Sequence, residues 1–432
     1  MLPDHEHIIA QPFYFVLKLK KIIMDFLKMD ESFPQDNNTT PIEPSKKGSK
    51  AWLVFLILGL ISMLGGVACV LVVFLLPKEE LPDLEFPAVP SAKVENKYYS
   101  HLTGLPVADE AAISAPTYCI QTPNGTDGAR PQAGLNEAGV IFEAIAEAGI
   151  TRFAAIYQNP SAAVIGPIRS LRLYYLQWDT PFDCTIVHAG GADDAIAAVR
   201  AGGYKDLSEN YYYMYRGTYG ARRWNNLFTT SSYLRQMNAD WGYGNSNVVG
   251  FTRMTPAESL KARVDVGVKE KLVITEPSVE NLSKIVAAVP SIAVRFGYSG
   301  SFNVNYSYDG ASNTYLRSYE SGDAHDIYDC PAEDLGEKNP ESVCTLKQLA
   351  PSVVVAMVVE EKRAWDNYHE DITTLGSGKA YIFQNGGVTV GTWNKGSVGE
   401  QIKFFDESGA EIALAPGQTF VEAVPTYGSV EY

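Results

Sequence analysis

Polar side chains recur beside glycines and predicted strand ends between residues 129 and 226. The candidate ligand-binding residues are Arg130, Glu143, Arg152, Arg169, Arg172, His188 and Asn226. In α/β proteins, ligand sites lie at strand ends, where glycine-rich turns leave room for a bound group. Arginine presents a planar fork of donors that matches a carboxylate or a phosphate, so several arginines near one edge predict an anion-binding site.

Two other interpretations of these residues remain open. A histidine beside a glutamate suits general acid/base chemistry, so Glu143 and His188 would serve an envelope hydrolase or transferase whose arginines bind an anionic substrate. Alternatively, the polar residues form a structural network without a catalytic role. That network would pair Arg130, Arg152, Arg169 and Arg172 with Glu143, Glu147 and Asp183. We therefore assign no catalytic residue from the sequence.

Common catalytic motifs are missing from the chain. The sequence contains no HExxH, GxSxG or GxxxxGK[ST], which argues against the commonest zinc peptidases, serine hydrolases and P-loop enzymes. It also has no C-x-x-C pair, and three of its six histidines (His5, His7 and His101) lie outside the probable core. We therefore expect neither a metal nor a cofactor.

The negative charge of the chain is concentrated in its C-terminal part. The net charge is -15, whereas residues 1–77 carry seven basic and seven acidic side chains. The whole excess of acidic residues therefore falls on residues 78–432. Because an acidic surface is repelled by phosphate backbones, we do not expect nucleic acid as a partner.

An uncharged apolar stretch covers residues 51–76 (AWLVFLILGLISMLGGVACVLVVFLL). About 20 apolar residues are enough for a helix to cross a bilayer, so this stretch predicts one N-terminal transmembrane helix. Lys46, Lys47 and Lys50 precede it, and the positive-inside rule therefore keeps the N-terminus in the cytoplasm. We expect a polar cytoplasmic tail (1–50), a single span, a proline-rich acidic spacer (77–98) and an extracellular C-terminal domain held at the cell membrane.

Hydrophobic patterns divide the exported part into two predicted subdomains. Residues 99–265 alternate short β-branched runs with helical patterns, which predicts an α/β (α+β) subdomain with a mixed sheet. Residues 266–432 show strands and turns, which predicts a mainly antiparallel β subdomain. Residues 138–158 favour a hairpin that turns at Ala148-Gly149, with Glu143 and Glu147 on one face. A helix over 137–148 is the alternative, because alanine and glutamate favour helices.

Four cysteines follow the predicted membrane segment: Cys119, Cys184, Cys330 and Cys344. An even number in an exported region predicts two disulfides, and three pairings are possible. We favour Cys330–Cys344, which flank a short polar loop, and Cys119–Cys184, which fall within the first subdomain. The sequence itself leaves the connectivity open.

Many of these segments resemble the YerB-like family, a bacterial group of predicted envelope lipoproteins with a two-part domain of unknown function. The resemblance implies an α/β first part and a β-rich second part at the cell envelope, and no established reaction. The matching segments include HLTGLPV (101–107), ARPQAGL (129–135), VIFEA (140–144), ITRFAAIYQ (150–158), GPIRSLR (166–172), VHAGG (187–191), NYSYD (305–309), YLR (315–317), GSGKAYIFQNGG (376–387) and PGQTFVEAVP (416–425).

The sequence departs from the family pattern at two places. A predicted transmembrane helix stands where the family has a lipid anchor. Trp224-Asn225-Asn226 stands where the family usually has Pro-His-Asn, which weakens a catalytic interpretation. We therefore expect a membrane-anchored binding or scaffolding module whose partner is an anionic or carbohydrate-bearing envelope component or another protein. The hydrolase or transferase remains the alternative.

Overall fold

The computed structural model describes residues 98–217, 225–269, 287–331 and 340–432, which belong to one compact unit. The predicted cytoplasmic tail (1–50), the predicted transmembrane helix (51–76) and the spacer up to residue 97 lie outside the described residues. None of the helices within the described ranges is long and apolar enough to cross a bilayer.

The first part of the chain alternates strands and helices, as its sequence pattern predicts. Asp193–Arg200 form helix α3, with Asp193 and Asp194 in its first turn. The strands are β1 (Thr117–Pro123), β2 (Val140–Glu147), β3 (Ile150–Gln158), β4 (Thr185–Val187), β5 (Lys205–Leu207), β6 (Tyr215–Arg216) and β7 (Leu227–Phe228). The helices are α1 (Glu110–Ile113), α2 (Leu173–Asp179), α3 (Asp193–Arg200), α4 (Ser231–Trp241) and α5 (Pro256–Lys269).

The second part is mainly antiparallel β, as predicted. Its hairpin turn at Asn385-Gly386 has positive φ at both residues, which matches the right-handed twist of the flanking strands. The strands are β8 (Ser291–Arg295), β9 (Val304–Asp309), β10 (Thr314–Tyr319), β11 (Asp326–Asp329), β12 (Thr345–Gln348), β13 (Val353–Val359), β14 (Glu361–Arg363), β15 (Glu370–Ile372), β16 (Gly376–Gln384), β17 (Gly387–Lys395), β18 (Lys403–Asp406), β19 (Thr419–Pro425) and β20 (Ser429–Glu431), with the short helix α6 (Pro340–Val343).

One mixed sheet of ten strands takes strands from both parts. Its order is β18-β17-β16-β13-β19-β2-β3-β1-β4-β5, and the two parts join where β19 runs parallel to β2. That pairing places Glu422 of β19 directly beside Glu143 of β2. A second sheet, β10-β9-β8-β20, is antiparallel throughout. The boundary between the predicted subdomains therefore divides the chain but not the large sheet.

The hairpin predicted for residues 138–158 is confirmed, and the alternative helix over 137–148 is wrong. Strands β2 and β3 meet at Ala148 and Gly149, both of which have positive φ. The pairing register shifts between Ile145 and Glu147, so the strand contains a bulge. Because a bulge adds one residue to one strand, it reverses the faces beyond it. Glu143 and Glu147 consequently contact different neighbours, and the prediction that they share a face is wrong.

Different parts of the chain cover the two faces of the large sheet. On one face Phe142 packs against α2, and its ring stacks on that of Trp178 with the centroids 5.4 Å apart. On the other face Ile141 packs in a second core, and Ile145 lies in a third core with residues of the four-stranded sheet such as Tyr306. The alternation predicted for β2 thus holds up to the bulge.

Both favoured disulfides are present. Cys119 of β1 is bonded to Cys184, which directly precedes the neighbouring strand β4. Cys330 is bonded to Cys344, 14 residues further on, and the bond joins the ends of the β11–β12 pair. Two disulfides are typical of a domain that folds in an oxidising compartment.

Gly149 tests how tightly the first hairpin is held by the second part of the chain. A Cβ atom at Gly149 would lie 2.7 Å from Cβ of Tyr298, whereas one at Gly409 would meet no atom within 4 Å. Both glycines have positive φ, so Gly409→Ala measures the conformational cost alone, which we expect to be about 1 kcal/mol.

We expect Gly149→Ala to cost about 1–3 kcal/mol more than Gly409→Ala, because the added methyl group overpacks a close contact. Urea unfolding followed by circular dichroism measures both values. Equal losses in the two variants would show that Tyr298 moves aside without lowering the free energy of unfolding.

Candidate functional site

The structure divides the predicted polar residues between two clusters. We call the first the acid network: Glu143, Glu422, Arg317, Tyr306 and His325. We call the second the arginine cluster: Glu147, Arg152, Arg169 and Arg172. Strand β2 supplies one glutamate to each cluster, and the bulge before Glu147 separates them. The candidate residues Arg130, Glu143, Arg169, Arg172 and His188 are therefore not gathered at one site.

The acid network links the two sheets through a buried arginine. Arg317 of β10 is fully buried, and it donates a charge-assisted hydrogen bond to Glu143. Its Nε lies 3.0 Å from the Tyr306 hydroxyl and 3.7 Å from Oε1 of Glu422. Although burial lowers the pKa of Arg317, the charges of Glu143, Tyr306 and Glu422 outweigh this and raise it. The guanidinium therefore stays protonated between two carboxyl groups.

Glu422 has an unusual ionisation in this network. Burial raises its pKa well above the ordinary value, and the negative charge of Glu143 raises it further. Glu422 therefore retains a proton, and Arg317 balances the charge of Glu143. Sequence reasoning missed both Arg317 and Glu422. The available signal was a single charged residue inside an apolar strand pattern, as in YLR (315–317) and FVEAV (420–424).

Arg130 and His325 border the acid network. The Arg130 guanidinium lies 3.8 Å from the ring centre of Tyr319, and its Nε donates to Asn124 Oδ1 at 2.9 Å. Burial, followed by the charge of Arg317, lowers the pKa of His325 well below its usual range, so this imidazole is neutral. Both side chains serve packing and hydrogen bonding here.

The arginine cluster places two guanidinium groups on one carboxylate. Glu147 accepts from Nη2 of Arg152 at 2.7 Å and from Nη2 of Arg172 at 2.5 Å. Burial and then the charge of Arg172 lower the pKa of Arg152 to about 10. Burial raises the pKa of Glu147, but the arginines outweigh this and lower it. The cluster therefore carries more positive than negative charge.

Arg169 adds a third guanidinium, and this one has no bonded partner among the residues that the structure describes. Its backbone is held at the end of β1, where its N–H donates to Gln121 O at 2.7 Å. Among the described residues, its side chain makes no hydrogen bond or ion pair. Burial is the main cause that lowers its pKa, and the charge of Arg172 contributes. The charge near Arg169 is thus only partly compensated by protein groups.

A cavity of about 460 Å³, here called the arginine cavity, opens at Arg169. Asn225 occupies the position at which the family pattern has histidine, and its Nδ2 donates to Asp127 Oδ1 at 3.0 Å. Polar lining residues other than Arg169 are Asn124, Asp127, Glu147, Thr151, Arg152, Asn225 and Tyr368.

The remaining predicted residues lie elsewhere. His188 is buried and hydrogen-bonded through Nδ1 to Gly190 O at 2.7 Å and through Nε2 to Asp206 Oδ1 at 2.8 Å. Asn226 donates to Gly217 O at 3.1 Å and fixes the β6–β7 pair. Neither lines the arginine cavity. In the described ranges, moreover, no group of three His, Cys, Asp or Glu side chains could hold a metal ion.

Comparison with known proteins identifies the family. Residues 102–243 match the N-terminal domain of a protein family of unknown function, DUF3048, and residues 292–421 match the C-terminal domain of that family. The chain belongs to the DUF3048 family. The family description assigns no reaction, so the match shows which family the chain belongs to and does not show an activity.

The relatives agree with the predicted YerB-like resemblance. The chain is 26% identical over 338 residues to "Putative lipoprotein YerB" of Bacillus subtilis (strain 168), which covers 76% of this chain and 87% of YerB. The crystal structure of the Bacillus subtilis YerB protein superposes with a TM-score of 0.59 at 21% identity, and it covers 78% of this chain and 100% of that one. At this identity the structural likeness shows the fold alone.

Arg317→Met tests whether the acid network holds the two parts together. The change leaves Glu143 buried without a counter-charge, so we expect a loss of about 3–5 kcal/mol in the free energy of unfolding. The charge of Arg317 also lowers the pKa of Glu422, so its removal raises that folded-state pKa further, and the variant loses more stability than the wild type as the pH rises. The loss should therefore be larger at pH 8 than at pH 5.

Chemical unfolding at both pH values measures the effect, with Arg200→Met on the exposed end of α3 as the matched control. Adding Glu143→Gln to Arg317→Met should recover part of the loss, because it removes one unpaired charge. A loss below about 1 kcal/mol at both pH values would contradict the assigned role of Arg317.

Proposed function

We propose that this protein is an extracytoplasmic module of the cell envelope that binds an anionic envelope component in the arginine cavity. The observation that carries the proposal is the Arg169 guanidinium, which lines a cavity without any protein partner among the described residues. Arg152 and Arg172 already bond to the two carboxylate oxygens of Glu147, so that carboxylate acts on Arg169 through its charge and not through a hydrogen bond. A bound anion would supply the missing charge.

The chemistry favours a phosphate or carboxylate group. Such groups accept two parallel hydrogen bonds from one guanidinium, and these bonds strengthen in a partly desolvated site. The net charge of the chain is -15, so long-range attraction does not draw polyanions to the surface as a whole. Recognition would therefore depend on the cavity itself. Arg152 and Arg169 line it together with Asp127 and Glu147, and the Arg169 side chain is the one that makes no hydrogen bond to the described residues.

The proposed location draws on the relative and on the sequence. YerB of Bacillus subtilis carries the name of a predicted lipoprotein, which supports a membrane-associated envelope protein. The two disulfides fit an oxidising compartment. We propose that residues 51–76 anchor the chain in the bilayer, with the N-terminus in the cytoplasm and the DUF3048 domains outside.

An acid/base enzyme has less support. Glu143 is fully buried and bonded to Arg317, and both ring nitrogens of His188 are already engaged. Within the described chain the two residues share no hydrogen-bond partner, whereas a general base must reach the proton it removes. Binding rather than catalysis is therefore the function we propose.

Arg169→Ala tests the proposed function with the full-length chain, purified in a neutral detergent. We expect it to weaken binding to isolated cell walls at least 10-fold, which corresponds to about 1.4 kcal/mol for one lost charge-assisted contact. Stability should change by less than about 0.5 kcal/mol, because the side chain bonds to no described residue. Co-sedimentation with the walls and thermal unfolding measure the two effects.

Arg169→Lys should restore only part of the affinity, since an ammonium group cannot form a bidentate pair. Arg200→Ala serves as the control for the loss of an exposed arginine. Walls from which the phosphate-containing polymers have been removed distinguish a phosphate ligand from a carboxylate ligand. Retention of wild-type affinity by Arg169→Ala would refute the proposal.

A further inference from the structure

A second cavity lies beside a short hairpin. Strands β14 and β15 form this hairpin (residues 361–372), and its tip carries Trp365. The cavity, here called the hairpin cavity, has a volume of about 740 Å³, within the range of roughly 300–1,000 Å³ for small-molecule sites. Its walls include Arg172, Gln177, Asp193, Trp365, Asp366 and Glu370.

Glu370 is the unusual group in this cavity. Its side chain is 1% exposed, yet neither carboxylate oxygen has a hydrogen-bond partner within the described residues. The nearest cation is Arg363, whose Nη2 lies 3.9 Å from Oε1, beyond hydrogen-bond range. A buried carboxylate without donors is costly, so its oxygens are suited to accept hydrogen bonds from a bound molecule.

Trp365 supplies the complementary surface. Its side chain is 80% exposed at the hairpin tip, but the backbone around it is firmly held. Asp366 accepts from the backbone N–H groups of Tyr368 and His369, both at 2.9 Å, and its other oxygen lies 2.6 Å from Nδ1 of His369. An indole displayed on this hydrogen-bonded turn offers a flat apolar platform at the cavity.

We propose that the hairpin cavity is a carbohydrate subsite in which Trp365 stacks on a sugar ring and Glu370 accepts hydrogen bonds from its hydroxyl groups. A sugar combines an apolar ring face with several donors, which matches an indole beside a carboxylate with free acceptors. The cavity is lined by five acids (Asp193, Asp194, Asp366, Glu370 and Asp371) and three basic side chains (Arg172, Lys362 and Arg363). This excess of acids disfavours anionic ligands and favours a neutral or amino sugar.

The hairpin cavity and the arginine cavity are neighbours. Tyr368 of the same hairpin lines the arginine cavity, and Arg172 lines the hairpin cavity while it bonds to Glu147. This inference therefore deepens the proposed function: the ligand is a glycan that carries an anionic group, with its sugar ring at Trp365 and its anion at Arg169. The two subsites can be tested separately, because different probes occupy them.

The test uses the full-length chain, purified in a detergent without a sugar headgroup, and two neutral probes. These are the tetramer of N-acetylglucosamine and the tetramer of glucose, measured by titration calorimetry. We expect at least one tetramer to bind and Trp365→Ala to weaken that binding at least 10-fold. Tyr212→Ala is the matched control, because Tyr212 is 84% exposed and does not line the cavity.

Glu370→Gln separates a binding role from a structural one. We expect at least a 5-fold loss of tetramer affinity and an unchanged or higher melting temperature, since the variant removes a buried charge that has no donor. Glu407→Gln, at an exposed position, is its control. A structural role would instead lower the melting temperature and leave affinity unchanged.

Inorganic phosphate is the probe for the arginine cavity in the same experiment. Trp365→Ala should leave phosphate binding unchanged, and Arg169→Ala should leave tetramer binding unchanged, so failure of one subsite does not imply failure of the other. If the wild-type chain binds neither tetramer, or if Trp365→Ala binds as tightly as wild type, the carbohydrate subsite is refuted whatever the phosphate result.

Discussion

The fold depends on one guanidinium buried between two carboxyl groups. Arg317 comes from the four-stranded sheet, whereas Glu143 and Glu422 lie side by side on the large sheet. Removing any one of these groups from water is expensive, and the cost is met only when all of them are in place. Neither part of the chain can complete the network alone, because Glu143 and Arg317 are 174 residues apart. The two DUF3048 domains therefore complete a single interior.

A bulge in β2 connects this network to the candidate site. Up to Ile145 the strand alternates regularly, so Glu143 faces Arg317 while Phe142 faces Trp178. The extra residue before Glu147 turns that glutamate toward Arg152 and Arg172. Two acids that are four residues apart thereby serve different purposes. Glu143 is bonded to Arg317 in the protein interior. Glu147 bonds to Arg152 and Arg172, and Arg169 has no bonded partner among the described residues.

Short sequence patterns correctly predicted those features of the fold that depend mainly on residues close together in the chain. The β2–β3 hairpin and the α/β and β-rich character of the two parts follow from short stretches of sequence. The two disulfides were favoured from the number and positions of the cysteines, although the sequence left their connectivity open. The bulge could not be predicted, since neither Ala146 nor its neighbours Ile145 and Glu147 carry a turn signal. The structural-network interpretation correctly named Glu147 as a partner of Arg152 and Arg172. The partners of Glu143 could not be predicted, because β10 and β19 approach β2 from distant parts of the chain. Residue types thus identified candidates for the site, but tertiary pairing decided which of them stayed free.

Arg169 and Glu370 are oppositely charged groups whose side chains make no hydrogen bond within the described part of the chain, although Arg363 lies 3.9 Å from Glu370. An ion pair between them would satisfy both, yet no ion pair joins them, and they line different cavities beside one hairpin. Folding alone would favour neutralising such groups, because each is partly or wholly removed from water. Groups that keep an uncompensated charge in a cavity are typical of binding sites, where a ligand completes the pairing that the protein omits. The separation of the two charges therefore favours one extended ligand with donors at one end and an anion at the other over two unrelated small molecules.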